Sequence, residues 1–438
     1  MTGLQEIAKR VFLETLQAIE PDALIRQALT LEGNTLSIGA ERIDLSSYTE
    51  IVMVGMGKAC LKMAAAVEGC LGERIGRGIL VTDRRAKTNV RSQVIVAGHP
   101  LPDANSLVAG EQILELVNSC GDDTLLIFLI SGGGSALVEF PLSRGISLGD
   151  LIRANRVLTR CGASIREVNI IRKHLSRIKG GRLGYLARNS KVVAFVVSDV
   201  NEGDMPSVAS NPLLPEDLRP EEVFDIANRF HLMEKLPPAV CHAIRTAPSV
   251  KPIGNWTWGS RQPIFRLLLE NSNVLEKAAA ITRGLGFRVE VDAEPNEDDY
   301  ERVASRLVGR LLRLQSTAPG ERVCVISGGE VLCPVRGDGV GGRNQEFVLY
   351  SARLLAGRGL QEVAVLSCGT DGIDGNSSAA GAVASGGVGG PASQPGEYAS
   401  VFISTNDSHS FFNHMGGLVV TGPTGNNARD LRILMAKP

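Results

Sequence analysis

Short β-branched runs, each closed by glycine and followed by a stretch of helical periodicity, recur along this chain and leave few folds open to it. Glu50–Val54, Gly78–Val81, Val94–Ala97, Leu125–Ile130 and Val192–Val197 are apolar on both faces, as central parallel strands are when helices cover each side of a sheet. Helical stretches fall between them, including Ala59–Leu71, Ser106–Ser119 and Leu151–Cys161. This alternation predicts an α/β fold whose N-terminal part is a Rossmann-like, doubly wound parallel sheet. Leu4, Ile7, Ala8, Val11, Thr15 and Ile19 share one face of a leading amphipathic helix.

A chain of 438 residues exceeds what one core usually organises, so two domains are expected. The rhythm lapses between Pro248 and Pro263, a loop rich in Pro, Gly, Trp and Ser, with Trp256 and Trp258 expected to pin it. The division is accordingly placed at residues 1–250 and 251–438. The second part reads as a mixed sheet with helices. Helices are expected at Val274–Leu285 and Arg302–Leu314, and strands near Phe287–Val291, Arg322–Ile326, Glu362–Leu366, Val401–Ser404 and Leu418–Thr421. Ala384–Gly396, rich in Gly, Pro and Ser, reads as a mobile loop.

Charge excludes several classes of partner. Forty-six Lys and Arg face 47 Asp and Glu, for a net charge of −1, so nothing pulls the chain as a whole toward nucleic acid or anionic membranes. Aromatic residues make up only 4%, too few for reading bases by stacking. Glycine is abundant, at 49 residues, against a usual ~7%. That excess points to turns where backbone approaches a ligand or takes positive φ. Eight cysteines form no C-x-x-C pair and read as buried thiols of a reducing compartment. With no signal-peptide pattern and no membrane-length apolar run, a cytoplasmic protein is expected.

Any anion site must then be built locally. Gly55-Met56-Gly57-Lys58-Ala59 carries a strand into a helix through two glycines and a lysine. Glycines admit an anion, the helix start offers N–H groups, and Lys58 adds a full charge. The spacing matches neither the P-loop, since Val52 stands at its first glycine, nor the dinucleotide fingerprint, since Cys60 stands at the third. A structural turn is the alternative, but such a turn has no need of a lysine. Ser131-Gly132-Gly133-Gly134-Ser135 follows a buried strand and is the stronger phosphate cradle. Ser135 as a nucleophile is disfavoured because the sequence is not Gly-x-Ser-x-Gly.

Arg172-Lys173-His174-Leu175-Ser176 and Lys179-Gly180-Gly181-Arg182 place Arg172 and Lys179 on one face if the helix runs through both. The structural alternative is a solvated basic helix ended by a glycine cap. Asp199 stands at the end of a strand, where α/β sheets bind ligands. Gly337–Gly342 reads as a flexible glycine stem presenting Arg343, a bidentate anion donor, at a helix start. Asp371 and Asp374, three apart between glycines, suit a Mg²⁺ held partly through water, with paired Asx turns as the alternative.

Together these segments resemble the glycerate 2-kinase family, kinases whose C-terminal part is called the MOFRL domain. The likeness spans nearly the whole chain. It also includes His99-Pro100-Leu101-Pro102-Asp103, Gly341–Glu346, Asn406-Asp407-Ser408 and Thr421-Gly422-Pro423-Thr424-Gly425. The resemblance implies ATP-dependent phosphorylation of the 2-hydroxyl of D-glycerate, with Mg²⁺, in a cleft between two α/β domains. It makes Lys58 and Arg343 the principal active-site residues. A catalytic role for Asp199, phosphate binding at Gly55, Gly57 and Ser131–Ser135, substrate contacts from Arg172 and Lys179, and metal binding by Asp371 and Asp374 complete the expected site. The partner is a small hydroxy acid, with no nucleic acid or membrane, for a monomer or homodimer. Departures occur at Asn201–Asp204, Asn211, Ser378, Ser385 and Asn426–Arg429, so another sugar acid remains an alternative acceptor. Hydroxypyruvate reduction is a second alternative, set against the missing third glycine at Cys60.

Overall fold

The computed structural model describes residues 3–85, 88–246, 256–259, 261–356, 358, 362–386 and 395–438, the side chains of 395–397 excepted. Two compact units result: Pro21–Leu268, and Leu269–Pro438 together with Met1–Glu20. This departs from a division at residue 250 in two ways. The leading helix Leu4–Ala18 buries Leu4, Ala8, Val11, Phe12 and Leu16 within the second unit, because periodicity reveals that a face needs covering but not what covers it. The boundary itself falls later, because the strand Ile264–Leu269 joins the first sheet. Much of the loop 248–263 lies outside the described residues. Trp256 and Trp258 pack edge to face at 4.8 Å and belong to the core of the first unit.

The first unit begins with a small antiparallel meander that the sequence pattern did not signal, β1 (Leu29–Glu32), β2 (Thr35–Ile38) and β3 (Glu41–Asp44). Its main sheet comprises β4 (Glu50–Met56), β5 (Ile75–Thr82), β6 (Gln93–Val96), β7 (Thr124–Ser131), β8 (Lys191–Val197) and β9 (Ile264–Leu269), in the order β6-β5-β4-β7-β8-β9. The pairs β4/β5, β5/β6, β4/β7 and β7/β8 are parallel. Every residue of β7 is buried, which explains its uninterrupted apolar run; each such side chain stabilises the fold by about 1.5–3 kcal/mol. Winding reverses between β4 and β7. That is the switch point at which open α/β sheets leave a crevice beyond their strand ends.

The helix Ile165–Leu175 starts at a Ser164/Glu167 capping box and ends at Leu175. Lys179 is therefore not on the helix that carries Arg172, contrary to the shared face expected. Gly180 and Gly181 take left-handed φ of 64° and 76°, and Gly181 leads into a separate helix, Arg182–Ala187.

The second unit holds β10 (Arg288–Asp292), β11 (Val323–Ser327), β12 (Val363–Gly369), β13 (Gly381–Ser385), β14 (Leu418–Val419) and β15 (Asp430–Ala436), ordered β10-β11-β15-β12-β13-β14. Only β10/β11 is parallel among these pairs, so the sheet is mixed. The C-terminal strand β15 lies at its centre, buried throughout. Val401–Ser404 is not a strand but part of the helix Pro395–Thr405. Ala399 and Ile403, four apart, are buried, whereas Val401 is exposed, a helical spacing that the β-branched residues masked. Of the expected loop Ala384–Gly396, residues 384 and 385 belong to β13, and 387–394 lie outside the described residues.

Candidate active site

The turns after β4 and β7 are stitched together. Gly57 has φ of 122°, and a Cβ there would lie 2.2 Å from Ser131 Oγ and 2.4 Å from Ser131 O. No other residue fits that approach. The N–H of Gly57 donates to Val81 O at 3.0 Å, that of Lys58 to Gly132 O at 3.0 Å, and that of Ala59 to Ser131 Oγ at 3.0 Å. Gly55 also packs tightly, since a Cβ would meet Leu80 at 2.7 Å. The backbone donors of this turn are thus occupied by the stitch.

The second turn differs. The N–H groups of Gly133, Gly134 and Ser135 donate to no backbone carbonyl among the described residues. Gly133 is left-handed, and a Cβ there would sit 3.2 Å from the His99 ring and 3.4 Å from Lys58 Cγ. Ser131 is fully buried, so its hydroxyl serves the stitch, while Ser135 Oγ lies 2.6 Å from Ser210 Oγ. Ser210 was missed by the sequence reading. It belongs to a buried run, Ala209-Ser210-Asn211, with φ of 49°, 59° and 55°. Such non-glycine backbone costs on the order of 1–3 kcal/mol per residue and clusters at functional sites. Asp199 stands two residues beyond Val197, which pairs laterally with Ser131, and is half-buried.

Arg172 and Lys179 are drawn into internal bonds. Lys179 is 2% exposed and ion-paired with Glu139. Burial lowers its pKa against the pull of Glu139. Arg172 donates to Asn155 Oδ1 at 2.9 Å, Lys173 binds Glu216 at 2.7 Å, and burial takes Arg182 down to about 10. The segment is therefore no solvated basic helix. Gly180 N and Gly181 N donate to Ser210 O and Asn211 O at 3.1 and 2.7 Å, so it braces the strained run that touches Ser135.

In the second unit Arg343 opens the helix Arg343–Ala356. Its Nε and Nη2 meet Asp430 at 2.7 and 2.9 Å, and Glu330 lies 2.8 Å from Nη2. Burial would lower the Arg343 pKa, but Asp430 and Glu330 prevail and raise it. Asp430 is fully buried beside Arg432 and was not foreseen, because nothing in its local sequence marks it. The glycine stem is not flexible in the way expected. Gly339 N donates to Thr405 O at 3.0 Å, Val340 N to Asp407 Oδ1 at 3.1 Å, and Gly341 N to Asn376 Oδ1 at 2.8 Å. None of Gly337, Gly339, Gly341 and Gly342 has positive φ. Glycine is required here for close approach; at Gly342 a Cβ would lie 2.3 Å from Asp374 Oδ1.

Asp374 caps that helix. Its Oδ1 accepts from Asn344 N at 3.0 Å and its Oδ2 from Gln345 N and Nε2, both at 2.9 Å. Asp371 Oδ1 accepts from Ile373 N at 3.1 Å in an Asx turn. With both Asp374 oxygens so engaged, the pair does not fit a Mg²⁺ site. No cluster of three or more His, Cys, Asp or Glu side chains suited to a metal occurs among the described residues. A cleft of about 660 Å³ lies beside Arg343, lined also by Glu346, Glu330, Asn376 and Asn406.

A two-part α/β protein with a lysine-bearing turn at its switch point and an arginine at a second helix start is the class defined here, and the family models divide it similarly. Residues 7–245 match a domain of unknown function, DUF4147, and residues 323–430 match the MOFRL family. The chain is 31% identical to the D-glycerate 2-kinase of Thermotoga maritima, over 98% of each chain. A crystal structure of glycerate kinase from Thermotoga maritima superposes with a TM-score of 0.82 at 30% identity, covering 99% of each chain. A putative hydroxypyruvate reductase of Agrobacterium vitis is 34% identical over 88% of this chain and 98% of its own. The chain belongs to the glycerate 2-kinase family with a C-terminal MOFRL segment.

Proposed function

We propose that this protein is a glycerate 2-kinase, transferring the γ-phosphoryl group of ATP to the 2-hydroxyl of D-glycerate to give 2-phosphoglycerate and ADP. Full-length similarity to the Thermotoga maritima D-glycerate 2-kinase carries the reading. Phosphoryl transfer depends mainly on positioning and charge stabilisation. The N–H groups of Gly133–Ser135 seat donor phosphate, Lys58 neutralises it, and Asp199 stands at the rim of the same strand ends. In the second unit, Arg343 is the cation at the start of its helix. Arg172 and Lys179 act from behind the turn, through Ser210 and Asn211, rather than by touching the acid. Any magnesium would have to be supplied with the nucleotide, since Asp371 and Asp374 do not fit a metal site. Eight free thiols suit a reducing, cytoplasmic setting, and no described helix is long and apolar enough to cross a membrane.

The similarity to a putative reductase sustains one other reading. Incubating the protein with ATP, magnesium and a panel of three- to five-carbon hydroxy acids, and separately with hydroxypyruvate and NADH, decides between them. ADP release with D-glycerate is expected, with no NADH oxidation. ADP release with a different acid only would rename the acceptor, and NADH consumption without ADP would overturn the kinase reading.

A further inference from the structure

Three cations of the first unit converge on a cavity that the proposed chemistry does not use. Arg42 lies on β3, Lys191 opens β8, and Arg261 stands shortly before β9. With Asp44, Ser47 and Tyr48 they line a pocket of about 360 Å³, at the small end of the range for small-molecule sites. It sits at the amino ends of β4 and β8, whereas the Gly133–Ser135 turn follows the carboxyl end of β7. Lys191 pairs with Leu125 and Val197 with Ser131, so the length of a strand, about 20 Å, separates the two places.

The donors around this pocket are largely unengaged. The Arg42 guanidinium makes no hydrogen bond or ion pair among the described residues. Lys191 Nζ donates to Gln262 O at 2.7 Å and Arg261 Nη1 to Asp122 O, which leaves two N–H groups on the ammonium and the Nε–Nη2 edge of the guanidinium. The Ser47 and Tyr48 hydroxyls make no hydrogen bond among the described residues. Burial raises the Tyr48 pKa against the pull of Arg261, so its O–H stays a donor at neutral pH. Asp44, the carboxylate on the lining, turns Oδ1 to Ser46 N and Oγ at 2.9 and 2.7 Å. Burial lowers the Lys191 pKa; Glu41 opposes the fall and Arg261 adds to it. Like charges held together in this way favour an anion between them.

We infer that this pocket binds a phosphoryl group, carried either by inorganic phosphate or by a phosphate monoester. A tetrahedral dianion presents acceptor oxygens in several directions, which suits two guanidinium edges and an ammonium set around one concave wall. A lone carboxylate offers two oxygens in one plane and a single charge. The bound group ties the β1–β3 meander to the start of β8 and to the segment before β9, so occupancy stabilises the first unit. No bond is made or broken there. The inference stands apart from the kinase reading, because neither Lys58 nor the turn after β7 contributes to the pocket.

The test titrates inorganic phosphate and glycerol 2-phosphate by calorimetry into the full-length protein. Wild type and Lys58→Ala, both with the pocket intact, should bind phosphate. Adding Arg42→Gln or Lys191→Gln to Lys58→Ala should weaken that binding by roughly tenfold or more, the effect of losing a charged hydrogen bond. Raising the salt from about 0.05 to 0.5 M should weaken it as well, and acetate should not displace it. Phosphate should raise the thermal midpoint of Lys58→Ala by more than that of the variant also carrying Arg42→Gln. Tighter binding of the monoester identifies an esterified ligand, and tighter binding of phosphate the free ion. Arg42 is exposed on its strand, so Arg42→Gln decides should Lys191→Gln not fold. Phosphate binding that vanishes in Lys58→Ala, or that survives Arg42→Gln unchanged, overturns the assignment. So does a wild type that binds phosphate no better than acetate.

Discussion

The Lys58 turn and the Arg343 helix start share a sequence signature, glycines followed by a single cation, yet they are physically different constructions. The first is made of backbone. Gly57, Lys58 and Ala59 donate their N–H groups to Val81, Gly132 and Ser131. The second is made of charge. Arg343 grips a fully buried Asp430 that also faces Arg432, with Glu330 alongside. Removing the first leaves the backbone stitch in place. Removing the second leaves a buried carboxylate underpaired.

Substituting each cation is the strongest way to break that contrast. Lys58→Ala and Arg343→Ala should each lower kcat by roughly 10²–10³, the effect of losing one preorganised donor. Their stabilities should diverge. Arg343→Ala leaves Asp430 underpaired and should cost about 3–5 kcal/mol, more than Lys58→Ala, which leaves the backbone stitch of its turn in place. Steady-state kinetics and urea unfolding measure both. Burial pushes the Asp430 pKa up, but Arg343 and Arg432 hold it below the usual carboxylate value of 3.8. Its contribution is therefore full above that value and is lost as pH falls through the lower, folded pKa. In Arg343→Ala that loss should begin at higher pH. Equal destabilisation by the two variants would show that the turns are not differently built.

The same contrast separates what the sequence revealed from what it hid. Buried parallel strands read clearly because apolar runs such as Leu125–Ile130 need no partner to be recognised, and the strand-to-helix turns follow from them. β15 was invisible: Arg432 interrupts the apolar run in a strand that is nonetheless buried end to end. Its charge is tolerated because Asp430 and the carbonyl of Gly328 receive the guanidinium, and both pairings depend on the fold. Asp374 was visible as chemistry but not as a helix cap, since a carboxylate between glycines looks the same whether it awaits a metal or caps a helix thirty residues away.

Asp374→Asn sharpens the comparison at intermediate size. The amide keeps the shape and one acceptor, but it cannot receive the N–H groups of both Asn344 and Gln345 as well. A loss of about 1–3 kcal/mol is expected, read as earlier unfolding and faster amide exchange at the start of the helix Arg343–Ala356. The magnesium concentration for half-maximal activity should not move. A large increase in that concentration, with stability unchanged, would restore the metal reading of Asp374.

Ser131→Ala should have the smallest effect and probes the backbone-built side alone. Ser131 Oγ is the acceptor for Ala59 N–H at 3.0 Å, in a position with no exposed surface. Alanine fits the space but strands that donor at the start of the helix Cys60–Leu71, at a cost of about 1 kcal/mol. Lys58 N still has Gly132 O, and Gly57 N still has Val81 O, so two of the three stitches remain and the turn should keep its path. Turnover should then fall less than about tenfold, with little change in the KM for ATP. If Ser131 instead touched the donor phosphates, the KM for ATP would rise sharply while stability held. Denaturant midpoints and nucleotide titrations on the one variant distinguish a stitch from a ligand, and Lys58→Ala in the same background shows whether the lysine still acts from an unchanged turn.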